Sequence, residues 1–286
     1  MFRSWRLGRL FSIETYIHWS FWLLIVWVLL SVSSEGGLAK GLSACGFLIA
    51  VFLCVYLHEL GHAFAARYYG IRTIDITMLP IGGLARLERI PENAWQELWI
   101  SLAGPAVNVV IALALGSGAF LRGELADLRG VDIFGQTFLE QIVFVNVALA
   151  VFNMFPALPM DGGRVLRSLL QLRMPRLQAT EIAARVSRYL ALFLIAVGIF
   201  KSFSLVLIGL FVLIAGFQEL MAVRLQAWRE SGGAAGGPFP GGNGVWFQSN
   251  VQFGSSPSSQ PIETTRDSTL HQNGDTLDAE DVKRIE

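Results

Sequence analysis

Residues 42–66, LSACGFLIAVFLCVYLHELGHAFAA, decide how this chain folds. The stretch is long and apolar enough to cross a hydrocarbon core, which takes about 20 residues as helix. Near its C-terminal end it carries three ionisable side chains, His58, Glu59 and His62. Such groups are costly inside an apolar span and mark function by default. On a helix, positions i and i+4 share a face, so both imidazoles can reach one ion with the glutamate beside them as general base. A chance H-E-x-x-H match is the bland alternative. The depth of the motif weighs against it: His58 precedes Arg67 by nine residues, about 13 Å at 1.5 Å per residue.

The rest of the chain supports a membrane reading. Of 286 residues, 53% are hydrophobic and only 15% charged, where soluble domains carry about 25% charged residues. The mean hydropathy is +0.52. The formal net charge is zero, which gives no field for nucleic acid. Cys45 and Cys54 lie within the apolar run without metal-site spacing and read as packing residues. Arg3, Arg6 and Arg9 precede a first apolar stretch, but no small-residue cleavage site follows it, so it reads as a retained helix.

The fold expected is an all-α polytopic membrane protein with about six spans, near 16–34, 42–66, 97–121, 137–156, 182–200 and 203–223. The fifth span is shortened by Arg185 and Arg188, and can begin as an interfacial helix or pair with the sixth as a hairpin. With the N-terminus inside, fifteen arginines of residues 1–230 fall in inner segments, against Lys40, Arg122, Arg129 and Lys201 outside. Both termini are therefore expected in the cytosol. Between the second and third spans, residues 71–79 and 84–90 alternate and are separated by Pro80 and Gly82-Gly83. They predict a small membrane-associated β-hairpin, with a plain interfacial loop as the alternative. An exposed strand edge there can receive a peptide as an added strand. Residues 231–286 are rich in Gly, Ser and other polar residues and read as a disordered cytosolic tail beyond a domain of residues 1–230.

A catalytic zinc usually has three protein ligands and one open position. His271 is in the tail, and His18 starts the first span, where a satisfied interfacial imidazole is the simpler role. Asp161 is the carboxylate candidate, in FNMFPALPMDGGR at residues 152–164. Pro156 and Pro159 cannot continue a regular helix, and irregular backbone at membrane depth is tolerated where it lines a cavity or is buried. Asp161 can equally serve as N-cap of a helix over 162–171.

HELGH joined to N-x-x-P-x-x-P-x-D-G at 153–162 resembles the site-2 protease family of intramembrane metalloproteases. The likeness extends to GRLFSIETYIHWSF at 8–21, PIGGLARLE at 80–88 and GPAVN at 104–108, in matching order over residues 5–225. Met154 stands where a proline often follows the asparagine. The resemblance implies that His58, His62 and Asp161 hold one Zn²⁺ per chain and that Glu59 is the catalytic base. It also implies that the strand at Gly82, Gly83, Leu84 and Ala85 holds substrate in extended form. Asn153 and Asn108 are amides within apolar spans that can donate to a substrate carbonyl or oxyanion, or serve as interhelical glue. The small residues around Gly104, Ala112 and Gly116 read as close helix packing.

The function expected is zinc-dependent cleavage of a transmembrane helix in another membrane protein, in a multi-pass protein of a bacterial inner membrane, with an organellar membrane as the alternative. A metal-binding transporter would scatter ionisable residues over several spans. A catalytically silent scaffold that binds membrane proteins would have no reason to keep Glu59.

Overall fold

The computed structural model describes residues 4–89, 91, 93–121 and 137–230. The tail expected at 231–286 and the loop carrying Arg122 and Arg129 lie outside the described residues.

The chain is mostly helical with a four-stranded sheet, which is twice the number of strands the sequence pattern predicts. β1 (Ser4–Leu10) and β2 (Ile13–His18) form an antiparallel hairpin. Phe11 and Ser12 join them with φ of 51° and 70°, as a two-residue hairpin turn of the primed type requires. β2 then pairs in parallel with β3 (Thr73–Leu79), which pairs antiparallel with β4 (Gly82–Leu87). The first expected span therefore starts at Trp19 and not at residue 16. A parallel pair needs a long crossover, here the whole of the helix between β2 and β3, so no local pattern announces it.

That helix, α1 (Trp19–Tyr68), is interrupted at Gly37, whose φ of 81° glycine adopts without steric cost. Beyond the break the chain runs back along itself. Phe21 stacks edge-on against Phe52 with centroids 4.6 Å apart, Cys45 Sγ donates to the Ile25 carbonyl at 3.7 Å, and Gly41 abuts the Leu29 carbonyl. Each contact joins an early residue to a late one, so the two halves are antiparallel. His18 caps the start of α1, accepting from the Ser20 backbone N–H.

α2 (Ala94–Leu121) contains Pro105, and α3 (Phe138–Asn153) begins with a capping box between Thr137 and Glu140. An irregular segment leads to α4 (Asp161–Gln171), α5 (Arg176–Lys201) and α6 (Phe203–Glu230). α5 and α6 form a close hairpin in which Gly209 lies against the Ala191 carbonyl and Gly198 against the Val206 backbone. Arg185 and Arg188 are part of α5, which starts six residues before the span expected at 182.

Among the described residues, four helices are long and apolar enough to cross a membrane: α1, α2, α5 and α6. α3, of 16 residues, is apolar but shorter. Large apolar side chains such as Trp27, Leu30, Leu113 and Phe193 are exposed, the pattern of helices that face lipid. Leu60, Ala63, Ile76, Met78 and Ile13 pack as one buried cluster, which seats the sheet on the second half of α1. Leu158, Ala183, Ala184 and Leu220 form another that ties the irregular segment to α5 and α6.

Candidate metal centre

The second half of α1 places His58 and His62 one turn apart, with their rings at 84° and centroids 4.7 Å apart. α4 brings Asp161 to them. His58 Nε2 lies 3.1 Å from Asp161 Oδ2, His62 Nε2 lies 3.2 Å from the same oxygen, and the two Nε2 atoms are 3.1 Å apart. All three residues are buried. Asp161 is not the N-cap of α4: Met160 holds that position with no side-chain cap bond, and the carboxylate turns to the histidines.

The hydrogen bonds behind the rings show what this triangle fits. His62 Nδ1 lies 2.7 Å from the Ile100 carbonyl, which can only accept, so Nδ1 carries the proton and Nε2 presents a lone pair. His58 Nδ1 lies 3.1 Å from Oδ1 of Asn108, a fully buried residue of α2. With both Nδ1 atoms engaged away from the centre, the two Nε2 atoms and a carboxylate oxygen converge on one point. A tetrahedral zinc with Zn–N of about 2.0–2.1 Å sets its ligand atoms about 3.3 Å apart, close to the observed sides. The donor set fits one divalent ion of borderline softness.

Glu59 follows His58 on the same helix, half-buried, and makes no hydrogen bond or ion pair among the described residues. It packs on the backbone of Gly83 in β4, where an added Cβ would lie 3.0 Å from Glu59 Cδ. Gly82 has φ of 139°, Leu84 is exposed, and Ala85 packs against the cluster around Leu60 and Ile76. β4 pairs with β3 on one side, and its other edge has no strand partner among the described residues. Asn153 ends α3, half-buried, and its side chain makes no hydrogen bond among the described residues.

Four features are not legible in the spacing of motifs. Gly104 does more than pack helices: a Cβ there would strike His62 Nε2 and approach His58 Nε2 at 2.7 Å. Gly162 and Gly163 lie against backbone atoms of residues 154–158, so only glycine lets the irregular segment fold back over the first turn of α4. Behind Asp161, Arg167 of α4 donates from Nε to Glu97 of α2 at 2.8 Å and from an Nη to Glu219 of α6 at 2.7 Å. This buried network fixes the helix that carries the carboxylate. Asn146, fully buried in α3, donates to Cys54 Sγ at 3.2 Å and to the Ile142 carbonyl at 2.8 Å.

Comparison with known proteins gives a consistent set of likenesses. The sequence model of Peptidase family M50 matches residues 46–197. A zinc metalloprotease of Methanocaldococcus jannaschii is 34% identical over 225 residues, 78% of this chain and 62% of the relative. A Synechocystis relative is 34% identical over 214 residues, 72% of this chain and 55% of its own length. The chain thus spans little more than half the length of these relatives. The solved site-2 protease from Methanocaldococcus jannaschii superposes with a TM-score of 0.56 at 33% identity, covering 76% of this chain and 95% of that one.

Proposed function

Because the chain belongs to peptidase family M50, the site-2 protease family, we propose that it is a zinc-dependent endopeptidase that cleaves transmembrane segments of other membrane proteins. The observation that carries this reading is the convergence of His58, His62 and Asp161 beside an uncommitted Glu59.

In this reading His58, His62 and Asp161 hold one zinc ion. When bound there, zinc supplies Lewis acidity to the scissile carbonyl and makes a water acidic enough to deprotonate near neutral pH. Glu59, beside the ligands, would accept a proton from the attacking water and return one to the departing amine nitrogen. Ile100 and Asn108 keep both imidazoles turned with Nε2 inward. Asn153 donates from its amide to the substrate carbonyl oxygen as negative charge develops there. The open edge of β4 receives the unwound substrate as an added strand along Gly82, Gly83, Leu84 and Ala85. The contact between Gly83 and Glu59 supports that placement, since it sets this strand beside the base.

The two halves of α1 and the short α3 each cross the membrane alongside α2, α5 and α6, giving six spans, with the sheet at the inner face. Both termini are cytosolic, in a bacterial inner membrane. Residues 1–230 form the protease domain and 231–286 its cytosolic tail.

The test is Glu59→Gln with a single-span substrate in reconstituted membranes. Zinc stoichiometry should stay at one per chain while cleavage falls by about 10²–10⁴-fold, the usual worth of a general base. Undiminished cleavage with zinc bound overturns the mechanism.

A further inference from the structure

A cavity of about 530 Å³ lies between the β1–β2 hairpin and the two halves of α1, away from the histidines. Its walls are apolar, with Phe21, Ile25, Ile49, Phe52 and Leu53 among them. The hydroxyls that line it, Thr15 Oγ1 and Tyr56 Oη, are bonded to each other at 2.9 Å. Wall residues Ile49 and Tyr56 lie about 10 Å apart along the helix. The cavity therefore extends from the sheet into the space between two antiparallel apolar helices.

One lining residue is charged. Arg9 of β1 lines the cavity and is exposed, with no ion pair or hydrogen bond among the described residues. Its cross-strand neighbour is Glu14. That carboxylate is already engaged, accepting from Arg6 at 3.1 Å and from the Tyr16 hydroxyl at 2.5 Å. Arg67 bonds the Phe11 carbonyl at 3.3 Å. Arg9 is thus the uncommitted cation in the lining of an apolar slot. Trp22 also lines the cavity, and its ring lies 6.0 Å from that of Trp5, both being residues favoured at the headgroup level of a bilayer.

We propose that this cavity is a binding site for an anionic glycerophospholipid, with one acyl chain between the halves of α1 and the phosphate held by Arg9. An apolar slot with a single free guanidinium in its lining is complementary to an anionic amphiphile. The charge contribution is that of one arginine near an anionic surface, about 1 kcal/mol, or roughly fivefold in affinity. Bound there, the lipid ties β1 to both halves of α1, and through β2 and β3 it steadies the strand that abuts Glu59.

The full chain, stripped of lipid in detergent, is re-equilibrated with phosphatidylglycerol or phosphatidylcholine, and retained lipid is counted by native mass spectrometry. One phosphatidylglycerol should be retained per chain in preference to phosphatidylcholine. Arg9→Gln should lower phosphatidylglycerol retention about fivefold, to the phosphatidylcholine level, with zinc content unchanged. Ile25→Trp, which fills the slot, should lower retention of both lipids. Equal retention of the two lipids by the parent chain overturns the proposal, as does undiminished phosphatidylglycerol on Arg9→Gln. If Ile25→Trp does not fold, the Arg9→Gln comparison decides alone.

Discussion

His58 Nδ1 lies 3.1 Å from Asn108 Oδ1, across fifty residues of sequence and in the buried seam between α1 and α2. The contact fixes the imidazole as the tautomer whose Nε2 faces Asp161. Partners of this kind are worth about 10–100-fold in metal affinity. Asn108→Leu should therefore weaken zinc binding by that factor, read by competition with a chelator. Asn108→Asp, which keeps the accepting oxygen, should retain most of it. A role in holding substrate would instead lower kcat with zinc affinity unchanged. The amide nitrogen of Asn108 has no partner among the described residues, so Asn108→Asp leaves no acceptor unsatisfied, whereas Asn108→Leu strands His58 Nδ1.

Gly104 gives a second test of the same centre. The methyl of Gly104→Ala would occupy the space in front of both Nε2 atoms. Alanine is the better helix former by about 1 kcal/mol, so helicity by circular dichroism should be unchanged. Zinc stoichiometry, measured by metal analysis, should fall well below one per chain.

Gly83→Ala separates the base from the metal. Its methyl would overlap the Glu59 side chain and not the histidines. Zinc should stay bound, while kcat in a reconstituted cleavage assay should fall by about 100-fold, as misplacing a catalytic group by about 1 Å does. Loss of zinc from this variant would show that β4 supports the ligands and not Glu59.

These variants also mark what the sequence conveyed. His58, Glu59 and His62 are legible because ionisable groups in an apolar run are conspicuous and a helix puts them on one face. Asp161 is ambiguous from sequence because a carboxylate before two glycines and an amphipathic helix reads equally as a cap. Only the fold-back of residues 154–158 over Gly162 and Gly163 turns it to the histidines. The β2–β3 pair is missed because it spans the whole of α1. Arg167 is only one of the arginines counted in the inner segments, since the sequence does not show that Glu97 and Glu219 close around it from two other helices. Long-range contacts are what a local pattern cannot carry.

Arg167 supplies the last prediction. It and Glu97 are nearly inaccessible, at 3% each, and join α4 to α2 and, through Glu219, to α6. Arg176 approaches Glu97 only at 3.9 Å and cannot replace the direct bonds. Removing one member of a buried ion pair leaves an uncompensated charge, which costs about 3–5 kcal/mol. Arg167→Met should therefore lower the thermal unfolding midpoint in detergent and loosen zinc, because α4 carries Asp161. Arg167→Lys should rescue little, since one ammonium cannot reproduce a guanidinium that bonds two carboxylates at once. Pairing Arg167→Met with Glu97→Gln should restore much of the midpoint by removing the stranded charge. If the double variant is no more stable than Arg167→Met, the packing of the arginine stem and not its charge holds α4 in place.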